Sequence, residues 1–174
     1  SIAWQAIESG GCDFLGSVAS QMEVLNARIG QFFTPYTVSR LIAEMSLQDL
    51  GPIIEANGFV TVSEPACGAG GMVLAAADTL QNAGFDPSMQ MLVNAVDISP
   101  LCFHMTYLQT SLRGIPAQIE MGDTLRNTRI ESAWTPHVIP FYAKHGKLFP
   151  VREAPPEQTP TGQPPAPPPP PIAD

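Results

Sequence analysis

Three carboxylates and one cluster of glycines are the residues whose types and spacing could do chemistry. The stretch Glu64-Pro65-Ala66-Cys67-Gly68-Ala69-Gly70-Gly71 sets three glycines behind an acid and a proline. Glycine reaches positive φ without strain and, having no Cβ, lets a ligand approach the backbone closely. The stretch is not a GxGxxG dinucleotide loop, because Gly68-Ala69-Gly70-Gly71-Met72-Val73 lacks the last glycine. No Lys-Ser/Thr pair follows, so it is not a P-loop either. Glu64 would repel a pyrophosphate and attract an ammonium group, which points to a zwitterionic nucleoside such as S-adenosylmethionine. Asp97 and Asp123 lie further along the chain. An ionised carboxylate only accepts hydrogen bonds, so Asp97 suits a ribose diol and Asp123 suits the exocyclic amine of a purine.

Chemistry at those acids requires elements that bring them together. Phe59 to Ser63 is apolar and β-branched and predicts a strand. Ala75 to Leu80 is rich in Ala and Leu and predicts a helix, ending by Asn82-Ala83-Gly84. Met89 to Val96 predicts a second buried strand with Asp97 at its carboxyl end. Ser99-Pro100 is an N-cap followed by proline at N1, opening a helix with Leu101, Met105, Leu108 and Leu112 inward and Gly114 as its stop. Ala117 to Met121 predicts a third short strand, ending in Gly122-Asp123-Thr124-Leu125. Strands alternating with helices predict an α/β fold with a parallel sheet whose ligands sit at the carboxyl ends of the strands. Glu64, Asp97 and Asp123 each end one strand of this βαβαβ unit, so all three are expected along one edge.

Upstream, residues 1–28 read as two helical pieces broken at Gly10-Gly11, with Phe14, Leu15, Val18, Met22 and Leu25 on one apolar face. Gly30-Gln31-Phe32-Phe33-Thr34-Pro35 follows. Thr34 reads as an N-cap with Pro35 at N1, and Val38, Leu41, Ile42 and Met45 read as the buried side of the helix it opens. Gly51-Pro52 and Asn57-Gly58 read as a loop into the first strand.

Composition narrows the partners. The net charge is −8, and the local basic clusters are Arg113/Arg126/Arg129 and Lys144/His145/Lys147. A chain that grips duplex DNA by itself carries a basic face, so a nucleic-acid role here needs those clusters or a partner's surface. The three cysteines, Cys12, Cys67 and Cys102, match no metal-ligand spacing and read as buried thiols in a reducing compartment. His104 has no partner at the spacing a metal site needs. No apolar run is long enough for a membrane span and no signal segment is visible, so the expected location is cytoplasmic. Ten of the nineteen prolines lie between Pro155 and Pro171, which predicts a disordered, polyproline-type tail, read first as a solubilising tail and in the alternative as a ligand for a proline-binding protein partner.

These motifs together resemble the adenine-N6 DNA methyltransferases, the class that includes the modification subunits of type I restriction systems. Gly30 to Pro35 resembles the motif that closes over the methionine part of S-adenosylmethionine. Glu64 to Gly71 resembles the main cofactor loop, Asp97 falls where the family places its ribose-binding acid, and Gly122-Asp123-Thr124-Leu125 resembles the motif that holds the cofactor adenine. The resemblance, which runs from about Gly30 to Leu125, implies a Rossmann-like methyltransferase fold with a partial parallel sheet, to which the pattern and composition above add N-terminal helices and a disordered proline-rich tail. Together these readings divide the chain into residues 1–50, a helical segment with the cofactor-closing motif; 51–150, the S-adenosylmethionine-binding α/β domain; and 151–174, the tail. The cofactor residues it implies are Phe33, Thr34, Pro35, Glu64, Pro65, Ala66, Cys67, Gly68, Gly70, Gly71, Asp97, Ile98, Asp123 and Thr124, with no metal. The implied activity is methylation of DNA adenine, with DNA met through a partner subunit. The alternative is an inactive, cofactor-binding regulatory or structural relative. The family's Asn/Asp-Pro-Pro-Tyr/Phe motif supplies hydrogen-bond acceptors to the target amine. In its place stands Ile139-Pro140-Phe141-Tyr142, where Val138 and Ile139 cannot accept. His137 is the one polar candidate, and the catalytic group stays unassigned.

Overall fold

The computed structural model describes residues 11–21 and 33–149. The expectations for the first helical piece, for Met22 and Leu25, for Gly30-Gln31-Phe32 and for the tail fall outside those residues. The chain forms α1 (Phe14–Gln21), α2 (Tyr36–Ser46), α3 (Leu50–Asn57), β1 (Val60–Glu64), α4 (Gly71–Asn82), α5 (Pro87–Gln90), β2 (Met91–Asp97), α6 (Pro100–Leu112), β3 (Ala117–Asp123), β4 (Thr128–Trp134) and α7 (Val138–His145). The strands make one four-stranded sheet in the order β1-β2-β3-β4. β1, β2 and β3 run parallel, and β4 turns back antiparallel on β3 with a register shift at Met121/Gly122. This is the expected α/β fold with a partial parallel sheet. Among the described residues no helix is long and apolar enough to cross a membrane.

The core lies on one face of the sheet. Val60, Met91, Val93, Ala95, Ala117 and Ile119 alternate onto that face and pack with Val73, Leu74, Ala77 and Leu80 of α4 and Phe103 of α6. Because α4 packs against α2, α6 and the sheet, it is buried nearly all round, and its alanines keep those neighbours close. Leu50 and Ile54 of α3 close the same cluster beside β1. The opposite face carries Thr61, Ser63, Asn94, Gln118 and Glu120 beside the buried Leu92 and the half-buried Val96, and is largely polar.

Several local expectations are corrected. Gly51-Pro52 opens α3 instead of forming a loop: proline in a first turn has no helical hydrogen bond to lose, and Gly58 at φ 84° caps the other end. Met89 and Gln90 belong to α5, which Asp86 caps, so β2 begins at Met91. On α6 the inward residues are Cys102, Phe103, Met105, Thr106, Gln109 and Thr110, while Leu101 and Leu108 are exposed. On α2, Ser39 and Ala43 are buried; Val38, Leu41, Ile42 and Met45 are exposed, Met45 at 65%. Small residues face α4 there because two helices approach closely only over small side chains. β4 and α7 were not legible as elements in the stretch after Leu125.

Candidate functional site

The glycine-rich turn joins β1 to α4 at the carboxyl end of the sheet. Cys67 N–H donates to the Val96 carbonyl (2.9 Å) and Gly70 N–H to the Cys67 carbonyl (2.8 Å), which folds the turn back over β2. Gly68 and Gly70 sit at φ 55° and 97°, in the left-handed region that favours glycine. Both are also packed: a Cβ on Gly68 would lie 3.2 Å from the Phe33 ring, and one on Gly70 would lie 3.2 Å from Thr106 Oγ1. Gly71 is the first residue of α4, with Gly70 as its N-cap.

Each strand-ending acid accepts from the backbone N–H two residues ahead, which locks its own turn. Glu64 Oε1 accepts from Ala66 at 3.1 Å, Asp97 Oδ1 from Ser99 at 2.8 Å, and Asp123 Oδ1 from Leu125 at 2.9 Å. Asp123 Oδ1 also accepts from Arg126 N–H. Asp97 does more than close a turn: its Oδ2 accepts from Gly68 N–H at 2.9 Å, tying the end of β2 to the glycine turn across 29 residues. A carboxylate offers roughly four acceptor positions, so the two used by Asp97 leave others for a hydroxyl pair. Thr124 Oγ1 donates to the Pro65 carbonyl at 2.7 Å and brings the end of β3 to the same turn.

The structure thus gathers Phe33, Pro65, Gly68, Asp97 and Thr124 through direct contacts, with Glu64, Ala66, Cys67, Gly70 and Gly71 in the same turn. Ile98 follows Asp97 and is 63% exposed. Thr34 is not the cap of α2. Pro35 takes the N-cap position at ψ 136°, and its carbonyl accepts from Val38 and Ser39 N–H. The Thr34 side chain makes no capping bond, and both residues are exposed. Cys67 is buried, and burial pushes its thiol up to about 12, against a smaller lowering by the Thr106 hydroxyl. It is therefore packing, not a nucleophile.

A supporting shell escaped the sequence reading. Thr106 Oγ1 donates to the Gly68 carbonyl and Gln109 Nε2 to the Ala69 carbonyl, each at 2.8 Å. Gln109 Nε2 also reaches Asp13 Oδ1, and its Oε1 accepts from Leu15 N–H. Asp13 is buried at the start of α1, and α1 thereby locks onto α6 and the turn. The signal was present in the sequence: Thr106, Gln109 and Thr110 form a polar stripe at helical spacing where an apolar one would suffice.

Beyond Arg126, which bonds Asp123, the chain turns away from the site. Asn127, at φ 52°, turns the β3–β4 hairpin. Phe141 of α7 is fully buried, with its ring 5.0 Å from that of Phe59, and His145 Nε2 lies 2.7 Å from the Met89 carbonyl. Those contacts hold α7 at the amino ends of β1 and β2. The His137 ring lies against Gly114, ahead of β3, at the same far end. Neither His137 nor the Ile139-Pro140-Phe141-Tyr142 stretch is placed beside the glycine turn. The basic group Arg113/Arg126/Arg129 is not a surface either, because Arg113 is buried against Asp78 and Arg129 is paired with Glu120.

A family model described as N-6 DNA methylase matches residues 14–146. The chain is 24% identical over 100 residues to the type I restriction enzyme MjaIX methylase subunit of Methanocaldococcus jannaschii, a match covering 58% of this chain and 16% of that protein. It is 25% identical over 107 residues to the MjaVIII methylase subunit of the same organism, covering 61% of this chain and 17% of that one. The chain therefore spans less than a fifth of the length of these curated relatives. No solved structure matches it. On the extent of the family match, the chain belongs to the N-6 DNA methylase family.

Proposed function

We propose that this chain is the S-adenosylmethionine-binding part of a cytoplasmic DNA adenine-N6 methyltransferase of the type I modification kind, and that it works with a partner chain and DNA. The observation that carries this reading is the tie between Asp97 and Gly68 N–H. It sets an acid with spare acceptor capacity beside a backbone turn that has no Cβ at the point of approach. The residues present fit the cofactor. Asp97 would hold the ribose hydroxyls, Asp123 the adenine amine and Glu64 the ammonium, with Phe33 closing over Gly68. When bound, S-adenosylmethionine supplies an activated methyl group. The chain's own residues bind and orient.

The need for a partner is supported by two features. The Pro-aromatic stretch of α7 lies at the opposite end of the sheet, so no counterpart of the Asn/Asp-Pro-Pro-aromatic motif stands at the glycine turn among the described residues. The outer edge of β1 is also unpaired among them. An open parallel edge beside the glycine turn is where a further strand would create the switch-point crevice in which α/β folds bind ligands. The same observations favour a second reading, a cofactor-binding relative that does not catalyse.

Titration calorimetry with S-adenosylmethionine and its demethylated product tests the binding part. The full chain should bind both. Asp97→Ala should weaken binding by about 1.5–3 kcal/mol, the worth of hydrogen bonds to a charged group. An absence of heat with either compound would remove the cofactor, and an unchanged affinity in the variant would remove Asp97 from its site.

A further inference from the structure

A second concavity lies on the polar face of the sheet, away from the core and from the glycine turn. It encloses about 190 Å³ and is lined by Thr61, Val62 and Ser63 of β1, Asn94 of β2, Gln118 and Glu120 of β3, and Arg129 of β4, with Phe149 as an aromatic wall. A face of a largely parallel sheet is usually covered by apolar helices. An apolar layer laid here would leave the side chains of Thr61, Ser63 and Asn94 without partners, and such burial is costly. Whatever fills this concavity has to hydrogen-bond.

Its chemistry narrows the occupant. Arg129 Nη2 lies 2.6 Å from Glu120 Oε1, so the charged groups neutralise each other and the cavity offers no net charge to a phosphate or a free cation. Gln118 Nε2 donates to Ser132 Oγ, which fixes that carboxamide. The side chains of Thr61, Ser63 and Asn94 make no hydrogen bond among the described residues, so their donors and acceptors are available. A carboxamide offers an adjacent donor and acceptor, the pairing that reads the edge of adenine. An aromatic side chain beside it offers the surface on which a base stacks. All but Phe149 stand on strands, so the arrangement is rigid before binding. The volume admits one small ring system. We infer that this concavity is a binding site for a neutral planar heterocycle of the nucleobase class, held by Asn94 and Ser63 at its edge and by Phe149 on its face.

Amide chemical-shift mapping on the full chain, with adenine as the probe, tests this. Adenine should shift the amides of Ser63, Asn94 and Gln118. Asn94→Leu should lower its affinity by at least roughly tenfold, the loss of one bidentate pair. Phe149→Ala, at the rim and therefore harmless to folding, should lower it by roughly fivefold or more through lost stacking. S-adenosylmethionine should move Gly68 and Asp97 instead, so failure of the cofactor reading is seen separately from failure of this one. The inference is overturned if adenine moves only the glycine turn. It is overturned equally if adenine moves nothing, as for a face covered by a protein, if a hexose shifts these amides in adenine's place, or if affinity survives both substitutions.

Discussion

At the scale of the residue, a few side chains decide the shape of the glycine turn. Gly68 combines a left-handed φ of 55° with a ring 3.2 Å from where a Cβ would stand. Gly68→Ala should therefore cost roughly 1–2 kcal/mol in backbone strain, seen as a lower thermal midpoint. It should also weaken S-adenosylmethionine binding, because Phe33 has to move aside. Cys67 makes the opposite case. Burial pushes its thiol well above the ordinary value, so it should resist iodoacetamide at neutral pH in the folded chain and react on unfolding, as read by mass spectrometry. The same burial gives a pH dependence whose sign is fixed. Above the ordinary thiol value of 9.0 the unfolded chain has lost a proton that the folded chain keeps until about 12. Stability should fall as pH rises through that window, in denaturant titrations at graded alkaline pH. Tyr36, raised by burial and by its bond to Asp78, adds to the loss once pH passes its ordinary value of 10.0.

At the scale of the element, one buried acid holds the helical layer together. Asp78 of α4 pairs with Arg113 beyond α6 at 2.6 Å, with both side chains at most 9% exposed. It also accepts from the Tyr36 hydroxyl of α2 at 2.5 Å and from Gly11 N–H ahead of α1 at 2.8 Å. Four segments therefore meet on one carboxylate. Asp78→Ala should cost about 3–5 kcal/mol, because it leaves the Arg113 guanidinium buried without its counter-charge. Tyr36→Phe should cost less, about 1.5–3 kcal/mol, since it removes one hydrogen bond to a charged group. Urea titrations of the two variants would check the order, and a Tyr36→Phe loss equal to that of Asp78→Ala would contradict it. The inward stripe of α6 works in the same manner, with Thr106 and Gln109 satisfying carbonyls of a turn that has no regular structure of its own.

At the scale of the whole molecule, the described sheet has β1 at one edge and the antiparallel β4 at the other, and neither outer edge is paired among the described residues. The glycine turn stands at the β1 edge, and the chain's last described helix lies at the far end of the strands. The purified chain should therefore bind S-adenosylmethionine yet transfer no labelled methyl group to adenine-containing DNA. Transfer should emerge when a second chain bearing an Asn-Pro-Pro-aromatic motif is added. Robust transfer by this chain alone would contradict the need for a partner. The exposed row Val38, Leu41, Ile42 and Met45 on α2 belongs to the same scale: its helical period was legible, but which side of the helix met the core was not.

The sequence by itself determined the alternation β1-α4-β2-α6-β3, the glycine turn and the positions of the three acids. Those follow from local rules: β-branched runs, Ser-Pro caps and glycines that tolerate positive φ act over a few residues. Ser99 caps α6, as its spacing with Pro100 implies. Only the tertiary structure decided which face of each helix is buried, because that depends on how close the neighbouring element lies. α2 meets α4 through Ser39 and Ala43, since small residues allow the approach, and α6 turns Gln109 inward, since the turn beside it has carbonyls to satisfy. Tertiary structure alone also placed β4 beside β3 and sent α7 to the amino ends of the strands. The pairing of β4 joins residues whose sequence carries little strand signal, and α7 is held by Phe141 against Phe59, a contact between residues far apart in the chain. The long-range bonds of Asp97 to Gly68 and of Thr124 to Pro65 are of this kind too. Local chemistry chose the residues of the candidate site, and packing across the sheet decided which of them meet.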